Sequence, residues 1–106
     1  MKKWQVKFWE TPGSQSPIEK WLDKLTKEQF KAISKELRML GFAGNTLRLP
    51  HSKALGQGLF ELREYKFGYR MYYGFQGNCI IIVLAAGDKS SQERDIRIAR
   101  DRLLEV

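Results

Sequence analysis

The sequence predicts a single α+β domain in the order β-α-α-β-β-β-α, with an antiparallel meander late in the chain and helices packed on one face of the sheet. Three observations carry this. A period-two alternation opens the chain, two segments with helical apolar spacing follow, and three strand-like runs precede a last amphipathic segment. The chain has 106 residues, of which 42% are hydrophobic. That is enough for one core and too little for a second, so residues 1–106 form one unit.

Each element has its own signal. Trp4, Val6 and Phe8 alternate with Gln5, Lys7 and Trp9, until Thr11-Pro12-Gly13-Ser14 breaks the strand. Ser16-Pro17-Ile18-Glu19 then offers an N-cap serine, a proline at the first helical position and a glutamate placed to close a capping box. Ile18, Trp21, Leu22 and Leu25 share one helical face. Thr26 with Gln29 repeats the capping signature, and Phe30, Ile33, Leu37 and Leu40 form the stripe of a second helix that Gly41 or Gly44 ends. Lys27, Lys31, Lys35 and Arg38 lie mostly off that stripe and read as a solvated face.

Residues 45–58 contain Pro50 and several glycine or asparagine breakers, and read as irregular. Residues 59–65 and 68–75 read as two aromatic-rich strands around a short turn. Gln76-Gly77-Asn78 is a further turn. The run from Cys79 to Ala86 is apolar throughout, the pattern of a strand buried on both faces, with Cys79 read as a small buried hydrophobe. Ser90 with Glu93 reads as the cap of a last helix that buries Ile96, Ala99 and Leu103.

Composition narrows the function. The formal net charge is +7, from 19 Lys plus Arg against 12 Asp plus Glu. Such an excess attracts polyanions, and nucleic acid is the first candidate. One cysteine forms no internal disulfide, and no Cys/His spacing matches a zinc site, so no metal and no other cofactor is expected. The chain lacks a P-loop and a Ser-His-Asp or Cys-His set. His51 is the only histidine, which excludes a two-histidine ribonuclease mechanism. The basic start has no signal-peptide core and no segment nears the ~20 apolar residues of a membrane span, so a cytoplasmic location without membrane contact is expected.

The two aromatic strands hold the most specific signal. Phe60 and Leu62 point one way, Glu61 and Arg63 the other; Tyr69, Met71, Tyr73 and Phe75 oppose Arg70 and Tyr72. Pairing apolar with apolar sets Leu62 near Met71 and Phe60 near Tyr73, and a one-residue slip would bury an arginine. In that register Arg63 and Arg70 become direct or diagonal neighbours on one face. Two like charges there favour a counter-anion. Glu61 serves in one reading, and a phosphate matched to two guanidinium forks in the other. His51, Lys53 and Lys89 lie near the strand ends and add positive charge, Lys89 just before a helix N-terminus.

Leu55-Gly56-Gln57-Gly58-Leu59-Phe60-Glu61-Leu62-Arg63, Gly68-Tyr69-Arg70-Met71-Tyr72-Tyr73 and Gly87-Asp88-Lys89-Ser90-Ser91-Gln92 together resemble the RelE/ParE toxin superfamily, in its phage-derived Gp49-like or HigB-like branch. The likeness covers almost the whole chain. It implies a RelE/ParE-like fold and a toxin neutralised by a cognate antitoxin, of DNA-binding, HigA-like type. It also implies action on mRNA at the 70S ribosome, with Arg70 stabilising the transition state. The sequence departs from RelE-like relatives where Glu61 replaces a basic residue and where the last helix lacks a tyrosine. HigB-like relatives use a partly histidine-based set, to which only His51 corresponds.

The expected reaction is attack of the RNA's own 2′-OH on the adjacent phosphate. It needs a base, cations around the phosphorane and an acid for the leaving 5′-oxygen. Arg63 and Arg70 are expected to bind the phosphate. Lys53 or Lys89 serves as base or acid, with Glu61 a rival base and His51 a rival acid. Tyr72 or Phe67 is expected to stack on a substrate base. Two other readings of the same surface remain: a ParE-like inhibitor of DNA gyrase, and an RNA-binding module without catalysis.

Overall fold

The computed structural model describes residues 3–106. Its elements run β1 (Gln5–Phe8), α1 (Pro17–Asp23), α2 (Lys27–Ala43), β2 (Ser52–Gly56), β3 (Leu59–Arg63), β4 (Tyr69–Gln76), β5 (Ile80–Asp88) and α3 (Gln92–Leu103). The five strands form one sheet in the order β1-β5-β4-β3-β2. The α+β class and the antiparallel meander of β3, β4 and β5 are as the sequence predicts. The β1 strand joins the sheet parallel to β5, across the helical crossover.

One strand departs from expectation. The segment read as irregular contains β2, which pairs antiparallel with β3. Its sequence, Ser-Lys-Ala-Leu-Gly, carries no apolar alternation because it is an edge strand with a single neighbour. The hairpin turns on Gln57 and Gly58, both at positive φ, which is what a two-residue type I′ turn requires. Gly58 supplies that conformation without strain, and Gln57 does so despite its Cβ.

The helices also depart from expectation, since they cover both faces rather than one. Ile18 and Leu22 of α1 and Ile33 and Leu40 of α2 pack with Leu62, Met71, Tyr73, Ile81 and Val83. Ala99 of α3, with Ile96, Ile98 and Leu103 beside it, packs against Leu59, Tyr72, Ile82, Leu84 and Ala85. The cause lies in β5, which is apolar on both sides, so one helical layer would leave a sheet face in water. A bulge contributes too: Tyr72 pairs with Ala85 and Tyr73 with Val83, which leaves Leu84 as an extra residue turned toward α3. Gly74 lets α3 approach, because a Cβ there would stand 2.8 Å from Leu103 Cδ1.

Helix ends differ in detail from the sequence reading. Ser16 caps α1 by accepting from the Ile18 N–H at 3.2 Å, and its hydroxyl donates to the Trp9 carbonyl at 2.7 Å rather than sharing a box with Glu19. The Thr26–Gln29 box forms as expected. Ser90 does not cap the last helix: Ser91 holds the N-cap position of α3 without a side-chain cap hydrogen bond, and Asp88 instead caps the 3-10 turn that leads into α3, exchanging hydrogen bonds with Ser91. Cys79 is exposed, one residue before β5, and not buried: the strand begins at Ile80, and Cys79 belongs to the preceding turn.

The two-faced core gives a direct expectation. Ile81 and Leu84 are both fully buried, on opposite faces. Ile81→Ala and Leu84→Ala should each lower unfolding stability by about 2–5 kcal/mol in urea titration. A sheet covered on one face only would leave one of the two substitutions nearly silent.

Candidate phosphate-binding site

Strand pairing places two rows of side chains beneath the start of α3. One runs Lys53, Glu61, Tyr72 and Ala85 across β2, β3, β4 and β5. The other runs Arg63, Arg70 and Gly87 across β3, β4 and β5. Directly paired residues share a face, and Tyr72 and Ala85 mark this as the α3 face. The expected register is therefore the observed one, with Arg63 and Arg70 directly opposite each other.

Glu61 is the counter-anion. It is fully buried, whereas the arginine side chains are 24% and 20% exposed. Arg63 Nε donates to Glu61 Oε1 at 2.7 Å, and Arg70 Nε lies 3.6 Å from Oε2. Gln92, the first residue of α3, donates its Nε2 to Oε2 at 3.0 Å. A carboxylate at a helix start also gains from the helix dipole. The carboxylate meets both guanidinium groups on their Nε edge, and the buried Arg70 Nε has no hydrogen-bond partner among the described residues. The Glu61 hydrogen bond holds Arg63 above the usual arginine range, with Tyr65 adding to the effect.

Tyr72 lies in the same row with its hydroxyl buried and without a hydrogen-bond partner among the described residues; Arg70 Nε shares that condition. Burial pushes the Tyr72 phenol far up from its ordinary value, and the nearby Glu61 and Asp95 carboxylates push it further. It is a hydrogen-bond donor at any physiological pH. Its ring is wholly enclosed, so the expectation that Tyr72 stacks on a substrate base does not fit its place in the core. Gly87 closes the second row, and a Cβ there would collide with Asp95 and Ser91, which hydrogen-bond each other above it.

The structure thus gathers Arg63, Arg70, Glu61 and Tyr72. Lys53 is exposed and leaves the sheet edge on the same face, opposite Glu61. Lys89 is exposed in the turn between β5 and α3. Two expected residues lie elsewhere. The His51 ring turns to α2, where Nδ1 is 3.2 Å from Glu36 Oε1, although its carbonyl accepts the Arg63 N–H. Phe67 stacks on Tyr69 at 5.8 Å between ring centroids, on the face that carries α1 and α2. Sequence reasoning missed Gln92, because a glutamine in a helix's first turn has no periodic signal until the fold sets it over β3. Among the described residues no three His, Cys, Asp or Glu side chains gather as a metal-ligand set.

Comparison with known proteins bears on the family and the fold. The family described as phage-derived protein Gp49-like matches residues 20–104. An uncharacterized protein of Haemophilus influenzae is 38% identical over 85 residues, covering 78% of this chain and 82% of the relative. Among solved structures, a double arginine-to-alanine mutant of the E. coli toxin RelE in the free state superposes with a TM-score of 0.70, at 18% identity, over 94% of this chain and 97% of that one. The isolated E. coli RelE toxin gives a TM-score of 0.58 at 19% identity, over 90% and 98%. At those identities the likeness is one of fold, and the fold is that of RelE.

Two outcomes follow from the buried network. Removing Glu61 leaves two adjacent guanidinium groups without their anion, so Glu61→Ala should cost about 3 kcal/mol or more in urea unfolding. The second concerns alkaline pH. Tyr72 and Tyr73 both have phenols raised chiefly by burial. A raised folded-state pKa contributes stability that is complete below the unfolded tyrosine value of about 10 and is lost as pH rises through the folded value. Stability should fall above that pH, and Tyr72→Phe should make the fall shallower in denaturant titrations across the alkaline range.

Proposed function

The chain belongs to the phage-derived Gp49-like family, and from that membership, the RelE fold and the paired arginines we propose that it is the toxin of a type II toxin–antitoxin pair, a ribosome-dependent endoribonuclease acting on mRNA. The observation that carries the reading is the Arg63–Arg70 pair, held side by side at a partly exposed surface with Arg70 Nε lacking a hydrogen-bond partner among the described residues. Two guanidinium forks so placed suit the oxygens of one phosphate.

In the proposed reaction the RNA 2′-OH attacks the adjacent phosphorus, the bond to the 5′-oxygen breaks, and a cyclic phosphate and a 5′-hydroxyl result. Arg63 and Arg70 stabilise the charge that gathers on the phosphorane oxygens. Neither arginine releases a proton readily, so the proton transfers fall to Lys53 and Lys89, the exposed lysines at the sheet edge and before α3. Glu61 is enclosed and His51 is turned to Glu36, which leaves both poorly placed to exchange protons with RNA. The chemistry needs no metal ion. The +7 charge supports approach to a polyanion, and a cognate antitoxin that masks the arginine face would silence it. No helix among the described residues is long and apolar enough to cross a membrane, in keeping with a cytoplasmic site of action.

Induced expression without the antitoxin, with primer extension on a reporter mRNA, tests this. Growth arrest with codon-phased cleavage is expected, with cleavage lost by a factor of at least about 100 in Arg70→Ala. Arrest with intact mRNA and increased DNA damage would replace this reading with that of a gyrase inhibitor.

A further inference from the structure

The carboxylate between the two arginines is wholly enclosed, and it engages each guanidinium by the inner, Nε edge. Its two oxygens divide the work. Oε1 takes Arg63, while Oε2 takes Gln92 and faces Arg70. Two buried donors, Arg70 Nε–H and Tyr72 O–H, stand beside it without partners. Buried donors rarely stay unpaired, and Glu61 Oε2 is the acceptor that Arg70 Nε already faces. An enclosed side chain cannot reach an RNA hydroxyl, so this constellation is ill suited to a base and well suited to a brace.

We propose that Glu61 is a positioning residue that aims both guanidinium groups outward, and that Gln92 and Tyr72 hold Glu61 in place. Arginine is flexible on a surface, and ordering two of them in parallel is costly unless something fixes the inner end of each. Glu61 does so for both at once. Gln92 ties that carboxylate to the first turn of α3, so the aim of the arginines depends on the seating of the last helix. Tyr72, the cross-strand partner of Glu61, carries a buried, protonated and otherwise unpaired hydroxyl, which makes it the donor placed to support the carboxylate from within the core. The geometry stands without reference to any substrate; only its kinetic consequence rests on the ribonuclease reading.

The test compares the full-length protein with Gln92→Ala, Tyr72→Phe and Glu61→Gln, using side-chain arginine Nε–H NMR signals and cleavage on programmed ribosomes. Gln92 is half-buried and Tyr72→Phe removes one hydroxyl, so both variants retain the apolar core if Glu61→Gln does not fold. Expected for Gln92→Ala and Tyr72→Phe are shifted or broadened Arg63 and Arg70 signals and cleavage slowed roughly ten- to hundredfold at saturating ribosomes, with ribosome affinity little changed. Addition of inorganic phosphate should perturb the arginine signals less in the variants than in the parent protein. Unchanged arginine signals with full cleavage in Gln92→Ala and Tyr72→Phe would overturn the proposal. So would a Glu61→Gln protein that keeps its arginine signals yet cuts nothing, since Glu61 would then be the base. A parent protein that cuts no RNA removes the ribonuclease reading alone, and the NMR comparison still decides the positioning role.

Discussion

Two guanidinium groups stand directly opposite each other across β3 and β4, an arrangement that strand pairing by itself opposes. It persists because a fully buried glutamate on the same face, two residues back along β3, hydrogen-bonds one guanidinium and forms an ion pair with the other. Burying that carboxylate alone would be prohibitive, and burying it with two cations and a glutamine donor is not. The dependence is mutual. The arginines make Glu61 tolerable inside the protein, and Glu61 makes their adjacency tolerable at its surface. Register, helix docking and site geometry all follow from satisfying this cluster together with the apolar faces around it.

The apolar framework sets where that cluster sits. With β5 apolar on both sides, helices must cover both sheet faces, and α3 lands on the face opposite α1 and α2. Glycines at 74 and 87 clear the way for Leu103 and Asp95. The descent of α3 brings Gln92 over β3, so the same packing that buries Leu84 also completes the polar network at Glu61. Stability and site are thus coupled through one helix.

Much of this is legible in the sequence, for identifiable reasons. Alternation with period two fixes β3 and β4 so tightly that the Arg63–Arg70 pairing follows from keeping Leu62 with Met71. The helices announce themselves through Ser16-Pro17 and Thr26–Gln29. What the sequence hides are effects that arise only on assembly. The edge strand β2 has no alternation to betray it, the two-sided use of the helices depends on how β5 is shared, and Gln92 acquires its partner only in three dimensions. His51 and Phe67 mislead because nearness along the chain suggested nearness at the site, whereas Glu36 and Tyr69 take their side chains elsewhere. Tyr72 misleads differently: alternation gives its face but says nothing of its depth.

In the proposed reaction the arginine pair holds a phosphate while the RNA's own hydroxyl cuts beside it. The most direct measurement is the chemistry of the new RNA ends formed when purified protein meets mRNA-programmed ribosomes. Cyclic phosphate at the upstream end and hydroxyl at the downstream end are expected, both absent when Arg63 and Arg70 are replaced by alanine. Ends of another chemistry, or equal cleavage by the double variant, would contradict it.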